Sequence, residues 1–531
     1  MKPFDANGEF RPSANESGTL RRLAVRGAGV TVLSGGLGQA IQIVATVVLA
    51  RLLTPADFGV VTMVTTFSLL LMNFGLNGFT EAVLQREEID HFLTSNLFWI
   101  NVAAGLLLTA GFAASGSLVA QFYRNPHLAP VAAGISTTIF ITSTSAIHLS
   151  LLKRAMRFSV VSANDVIART ISVATSILLA KAGWGYWALV VGAVMQSLST
   201  SLGAWILCRW VPSPPRHVAG TASMLQFAMN VFGRFSVNYG ARNMDNMLVG
   251  WRFNAQALGF YKKAYDLFAL SGGLLVSSLT TVAVSALSRL NRDSVQYTRC
   301  LLSALAVTAF VGMGIGANLT LVGKDVIRLL LGARWEPAGR IFTFFGPGIG
   351  IMLLYGTHSW IHLSIGRPGR WLCWGIVEFA FTGLLFLVAL PWGPEGIAVA
   401  WTASFWILTI PALWYAGRPI HFGIGPVLAV VWKYVLASLL AGCGTAVISG
   451  GFSSFVAAST WIEALARVAR TSSVFGVLYI GAVILLHRSS APLYQVTGLL
   501  QEMVQWTGSA RVRHANGISE ALTLATEDRT K

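Results

Sequence analysis

Side chains able to grip an anion recur every four residues in FAMNVFGRFSVNYGARNMDNMLVG, Phe227 to Gly250: Asn230, Arg234, Asn238 and Arg242. On a straight helix each step of four turns about 40°, so the set occupies an arc of about 120°. Asp245 returns to that arc and Asn246 extends it. The stretch is otherwise apolar enough to lie in a bilayer, where a charge costs about 2.5–3.5 kcal/mol on insertion scales and turns toward a protein interior or a watery cavity. An Arg242–Asp245 pair locking two helices would account for those two residues. It leaves Arg234 and its flanking amides without a purpose, whereas a cavity-lining stripe accounts for all of them. The planar fork of arginine matches the paired oxygens of phosphate. The expected ligand is therefore anionic and phosphorylated, with a polar part that accepts amide hydrogen bonds.

The same stripe recurs 200 residues earlier in neutral form. Ser34 stands where Arg234 does, Gly38 where Asn238 does, Gln42 where Arg242 does and Thr46 where Asn246 does, with Gln39 beside them. Asp165 and Arg169 are four residues apart, which suits either an ion pair near a span end with the arginine snorkelling or a gating or substrate role. Lys262 and Asp266 have the same spacing, and Lys263 adjoins them. Glu378 lies in an apolar run and reads as a proton or cation site, a residue facing headgroups, or a protonated core residue. His148, His358 and His362 sit near helix ends and read as packed core residues more readily than as functional ones. Cys208, Cys300, Cys373 and Cys443 are far apart with no C-x-x-C, so neither a redox pair nor a metal site is expected. No G-x-x-x-x-G-K-[ST] loop, no H-E-x-x-H and no cofactor motif occurs. The chain is expected not to be an enzyme and to need neither metal nor cofactor.

The elements that carry these residues must be membrane helices. Of 531 residues 54% are hydrophobic and 11% charged, against about 25% charged in a soluble domain. Apolar runs of about 20 residues suggest spans, expected at 27–50, 58–83, 93–120, 128–152, 160–180, 184–207, 225–250, 257–287, 300–322, 341–364, 371–390, 394–416, 428–450 and 471–487. These predict an all-α polytopic protein of about 14 transmembrane helices. About 23 Lys and Arg fall on the side of the N-terminus and about 10 on the other, so both termini are expected to be cytoplasmic. The net charge of +17 then reports topology and contact with anionic lipid rather than nucleic acid. No short apolar run with a cleavage site opens the chain, which argues against a removed signal peptide. Many tryptophans near span ends suit an interfacial belt.

The chain also repeats itself. VVLARLLTPADFGVV (Val47 to Val61) parallels MLVGWRFNAQALGFY (Met247 to Tyr261), with Gly59 facing Gly259 at an offset of 200. IHLS occurs at Ile147 and again at Ile361, and WGYWALVV at Trp184 is echoed by WGPEGIAVA at Trp392. The order and the similar offsets imply two homologous bundles of six helices, which enter from the same side because six is even. The expected organisation is an N-terminal tail (1–26), a first lobe (27–208), a cytoplasmic linker with the Pro-rich VPSPPRH (209–224), a second lobe (225–416), two further spans (417–487) and a C-terminal tail (488–531). Within the first turn of the repeat, Thr54, Pro55 and Asp57 suit a capped helix start, and Asn254 offers a similar cap in the second copy.

ARLLTPADFGVV, with GLNGFTEAVLQRE after the second span, resembles the polysaccharide transporter family of the MOP flippase superfamily. The resemblance covers both six-helix lobes and most of the chain. It implies a MATE-like V of two six-helix lobes plus two C-terminal helices, in a bacterial inner membrane. It further implies movement of an undecaprenyl-pyrophosphate-linked oligosaccharide from inner to outer leaflet by alternating access, for exopolysaccharide, capsule or O-antigen synthesis. Arg234 and Arg242 are the residues it places at the pyrophosphate, with Asn230, Asn238, Gln39 and Gln42 as further substrate contacts. Asp165, Arg169, Asp245 and Glu378 are candidates for gating or ion coupling. Partners would be the lipid-linked oligosaccharide, membrane lipids, and polysaccharide polymerase and chain-length machinery. The amide-rich first helix departs from lipid II exporters, which carry arginines there. Other readings are a cation-coupled drug exporter of the same fold, which would favour acidic and aromatic residues in the cavity, and a scaffold for polysaccharide synthases that transports nothing. A membrane glycosyltransferase would want a carboxylate-rich loop that the sequence lacks.

Overall fold

A computed structural model describes residues 3–5, 8–10, 17–86, 88–216, 218, 220–291, 293–449 and 460–489. In hydrocarbon each backbone N–H and C=O has to be satisfied within its own segment, and the apolar runs fold accordingly as helices. In chain order these are α1 (Ser17–Leu52), α2 (Pro55–Asn73), α3 (Thr80–Gln85), α4 (His91–Ala114), α5 (Gly116–Phe122), α6 (Leu128–Ser143), α7 (Ala146–Arg154), α8 (Phe158–Lys181) and α9 (Tyr186–Cys208). There follow α10 (Thr221–Arg252), α11 (Ala255–Leu290), α12 (Ser294–Leu331), α13 (Glu336–Gly356), α14 (His358–Ser364), α15 (Pro368–Ala389), α16 (Gly393–Gly417), α17 (Ile424–Ile448) and α18 (Trp461–His487). The β-structure among the described residues consists of two isolated bridges, Phe4 with Phe10 and Glu9 with Asp90.

Eleven segments among the described residues are long and apolar enough to cross a membrane. They account for twelve of the expected spans, because the 52-residue segment Gly369–Ile420 contains both 371–390 and 394–416. The other two expected spans are α10 and α11, helices of 32 and 36 residues. Asn230, Arg234, Asn238 and Arg242 keep α10 out of the apolar set. Fourteen crossings is thus not a count that length and apolarity alone establish.

The repeat is visible in where helices break. The span expected at 128–152 is interrupted between α6 and α7 at Thr144 and Ser145, and that at 341–364 between α13 and α14 at Thr357. In both copies IHLS begins just after the break, so His148 and His362 occupy matching places. Each is fully buried. His148 packs against Trp205 at 4.1 Å between ring centroids, and His362 against Tyr415 at 5.9 Å.

Two compact units are present. The first comprises Met1–Leu267, Lys324–Phe345 and Gly375–Trp401. One buried cluster within it joins Phe79, Leu93, Leu97, Ile147, Leu151 and Trp210. Also within it, α10 lies along α2. The Tyr239 hydroxyl donates to the Thr66 carbonyl at 3.0 Å, and the Phe232 ring meets Phe74 edge-on at 5.0 Å. Phe74–Phe79 is a π-helical turn linking α2 to α3, a rare form that occurs mostly as a single turn within a longer helix.

The Pro-rich stretch after α9 is pinned rather than loose. Asn96 of α4 donates to the Arg216 carbonyl at 2.6 Å and accepts from the Arg216 N–H at 3.0 Å. Trp99 donates to the Ser213 carbonyl at 2.9 Å, and His91 bonds the Ser213 hydroxyl at 2.7 Å. The described N-terminal residues dock alongside. The His91 N–H donates to the Gly8 carbonyl at 2.9 Å, Phe4 packs on His91 and Trp210, and the Arg154 guanidinium lies over the Phe10 ring at 5.2 Å.

The second unit comprises Phe268–Gly323, Gly346–Trp374 and Thr402–Lys531. Inside it α18 is fixed to α12 by the Tyr479 hydroxyl, which donates to the Phe310 carbonyl at 2.7 Å. Gly312 and Gly350 allow α12 and α13 to approach closely.

Candidate functional site

The α1–α2 corner is built by capping. Thr54 is extended, its hydroxyl oxygen accepts the Asp57 N–H at 3.2 Å, and Asp57 Oδ2 accepts the Thr54 N–H at 2.8 Å. This satisfies helix-start donors in both directions, as the sequence leads one to expect. In the second copy Asn254 Oδ1 accepts the Ala257 N–H at 2.8 Å. The two corners touch. A Cβ added to Gly59 would overlap the carbonyl oxygen of Ala255, and one added to Gly259 would overlap that of Pro55. The contact is reciprocal at the same offset of 200, so glycine is required at both positions by closeness of approach.

Aromatic residues seal this end. Trp335 is fully buried, donates Nε1–H to the Ala50 carbonyl at 2.8 Å and stands edge-on to Phe58 and Phe260 at 5.5 and 5.9 Å. Arg51 donates to the Leu329 carbonyl at 2.9 Å, in the last turn of α12, where a cation complements the helix dipole. Lys263 Nζ lies 4.2 Å from the centre of the Phe58 ring. Lys262 and Lys263 share Asp266 at 2.7 and 3.7 Å.

On α10 Tyr239 meets Thr66 of α2, and Phe232 meets Phe74 of the π-helical turn that follows it. Asn230 lies about 160° around the helix from Phe232 and about 180° from Tyr239, and it is exposed, as is Arg242. Asn230 is therefore turned away from α2, whereas Arg242, about 60° around from Tyr239, stands beside that contact. Arg234 and Asn238 lie in α10 between them, with side chains outside the described residues.

Asp245 is fully buried. Its Oδ2 accepts the Tyr261 hydroxyl at 2.7 Å and Trp401 Nε1–H at 2.9 Å, and Oδ1 accepts the Asn246 N–H at 2.8 Å. This carboxylate ties α10 to α11 and α16. Tyr261 and Trp401 are site residues that periodicity does not reveal. The available signal is that a buried Tyr or Trp needs a partner for its polar tip.

On the first-copy side Gln39 is half-buried and Gln42 exposed. Asp165 and Arg169 pair on α8 at 2.9 Å. Arg169 is not near a span end: it is the twelfth residue of the 24-residue α8, about 17 Å from its start, too deep to snorkel. Its side chain lies against Gly38 of α1, where a Cβ would be 3.5 Å from Arg169 Cδ. Glu378 is half-buried on α15. The structure thus brings Arg169 to the neutral stripe of α1 and buries Asp245, although it shares the arc of the exposed Asn230 and Arg242.

The family described as polysaccharide biosynthesis protein matches residues 48–340. Among curated relatives, the succinoglycan biosynthesis transport protein ExoT of Rhizobium meliloti is 20% identical over 397 residues, covering 75% of this chain and 79% of that protein. The lipopolysaccharide biosynthesis protein WzxC of Escherichia coli is 22% identical over 328 residues, covering 60% of this chain and 65% of that protein. Among solved structures, the lipid II flippase MurJ in an inward closed conformation superposes with a TM-score of 0.70 at 16% identity, covering 87% of this chain and 99% of the other. An inward-facing multidrug resistance MATE transporter of the MOP superfamily gives 0.58 at 11% identity, covering 72% and 94%. These two likenesses establish the fold.

Proposed function

Because this chain belongs to the polysaccharide biosynthesis protein family, within the MOP flippase superfamily, we propose that it flips an undecaprenyl-pyrophosphate-linked oligosaccharide from the inner to the outer leaflet. The product would feed exopolysaccharide, capsule or O-antigen synthesis. The observation that carries this reading is the polar arc of α10, on which Asn230 and Arg242 are exposed. Exposed charge at membrane depth is favourable beside water or an anionic ligand and costly beside lipid. Arg242 and Arg234 hold the pyrophosphate, and Asn230, Asn238, Gln39 and Gln42 bond the sugar. No bond of the substrate is made or broken, so the protein acts as a carrier and not as an enzyme.

The two lobes, 27–208 and 225–416, work by alternating access, with both termini cytoplasmic. The reciprocal glycine corner is one gate, and its parting admits the head group to the outer leaflet. Asp245, Asp165, Arg169 and Glu378 are the gating or coupling candidates. Polymerase and chain-length proteins receive the product.

The test is reconstitution in liposomes with a fluorescent undecaprenyl-pyrophosphate oligosaccharide, scoring transfer between leaflets. Wild-type protein transfers the lipid, and Arg234→Ala and Arg242→Ala each slow transfer at least about tenfold, the value of a charge-assisted hydrogen bond. Full transfer by both variants would remove the arginine assignment. No transfer by wild type, across ion gradients, would remove the flippase reading.

A further inference from the structure

The geometry points to Arg169, held in place by Asp165, as a second diphosphate contact, presented to the neutral stripe of α1 from the neighbouring helix α8. This rests on the reading of the chain as a diphosphate-lipid flippase and extends its anion site beyond α10.

The side chain is held in an unusual way. Arg169 uses Nε to donate to Asp165 Oδ2 at 2.9 Å, so the carboxylate engages the side of the guanidinium and not its fork. Among the described residues Nη1 and Nη2, which carry four of the five N–H donors, make no hydrogen bond. A pair built only to lock α8 would be expected to use the two-bond fork, the stronger arrangement. Among the described residues nothing engages the fork.

Depth sharpens the point. Arg169 lies at the middle of α8, and its side chain is 34% exposed. A half-exposed cation at mid-membrane with unused donors is costly against lipid and stable against water or an anion. Gly38 makes room for it, since Arg169 Cδ, Nε and Cζ lie 3.5, 3.6 and 3.9 Å from where a Cβ would stand. Gly38 belongs to the stripe of Ser34, Gln42 and Thr46 that matches the cationic stripe of α10. The first copy therefore has its cation too, supplied by α8 through a gap in α1. Two oxygens of a diphosphate fit the fork, and Asp165 fixes its direction.

The experiment measures binding of undecaprenyl diphosphate to the full-length protein in phosphatidylcholine nanodiscs, with inorganic pyrophosphate and added phosphatidylglycerol as separate arms. Arg169→Gln is expected to weaken undecaprenyl diphosphate binding about tenfold. Asp165→Asn keeps the cation and an amide oxygen that can still accept Nε–H and fix its direction, removes the competing charge, and leaves binding equal or tighter. The double variant Asp165→Asn/Arg169→Gln removes both charges, avoids stranding one of them, and is expected to bind as weakly as Arg169→Gln. The inference is overturned if the double variant binds undecaprenyl diphosphate like wild type. It is also overturned if the loss appears only with phosphatidylglycerol, which would make Arg169 a general lipid contact. Wild-type protein that binds no undecaprenyl diphosphate would instead overturn the flippase reading on which the inference rests.

Discussion

The α1–α2 and α10–α11 corners share a backbone and differ in charge. Both start their second helix from a side-chain cap, Thr54 in one and Asn254 in the other, and both present a glycine to the partner's first turn. The first corner keeps its acid half-buried at the helix start, where Asp57 completes the cap. The second has Ala257 at that place, and its acid is Asp245, buried back along α10. The arginines differ likewise. Arg51 caps α12 at the end of α1, whereas Arg242 stands exposed on α10. The repeat conserves what packing demands and lets charge diverge, so one frame supports two chemically different helices.

The glycines should dominate any attempt to break that comparison. Gly59→Val and Gly259→Val each force a helix off a backbone carbonyl and should cost about 3 kcal/mol. The measurement is thermal denaturation in detergent. Gly36→Val, with open space around it, is the silent control, and equal stability of all three variants would refute the close-packing account. Next comes Asp245→Ala, which strands the Tyr261 hydroxyl and the Trp401 indole in a buried place and should cost about 2–3 kcal/mol. A smaller loss, about 1 kcal/mol, is expected for Trp401→Phe. Measured with Tyr261→Phe and the double variant, it should show non-additivity, because both donors share one oxygen. Strict additivity would mean that the carboxylate is not their common anchor. The caps come last. Thr54→Ala should cost about 1 kcal/mol, and Asn254→Ala, which lacks a reciprocating acid, about 0.5 kcal/mol. The reverse order would show that Asp57 adds nothing to its cap.

Much of this was legible in the chain because it is local. The four-residue spacing put Asn230 and Arg242 on one face of α10, and Thr54, Pro55 and Asp57 announced their cap. The offset of 200 matched Gly59 to Gly259 without indicating that they touch. What stayed hidden depends on distant residues. Nothing in the period of α10 says that Asp245 will meet Trp401, 156 residues away, or that Phe4 and Phe10 will dock beside Trp210. Arg169 shows a different limit. Its pairing with Asp165 follows from spacing, but its position against Gly38 depends on how α8 packs on α1.

The glycine corner also carries a history. Position 59 meets 255 while 259 meets 55, the pattern of an isologous interface, in which residue i of one subunit touches j of the other and j touches i. Two identical six-helix proteins related by a two-fold axis would make this same contact. In such a homodimer every substitution is made twice, so an arginine gained on one side is gained on the other. Joining the copies in a single polypeptide frees each side to change alone. A cationic α10 could then arise opposite an amide-rich α1, and a symmetric dimer could become a carrier with unlike walls.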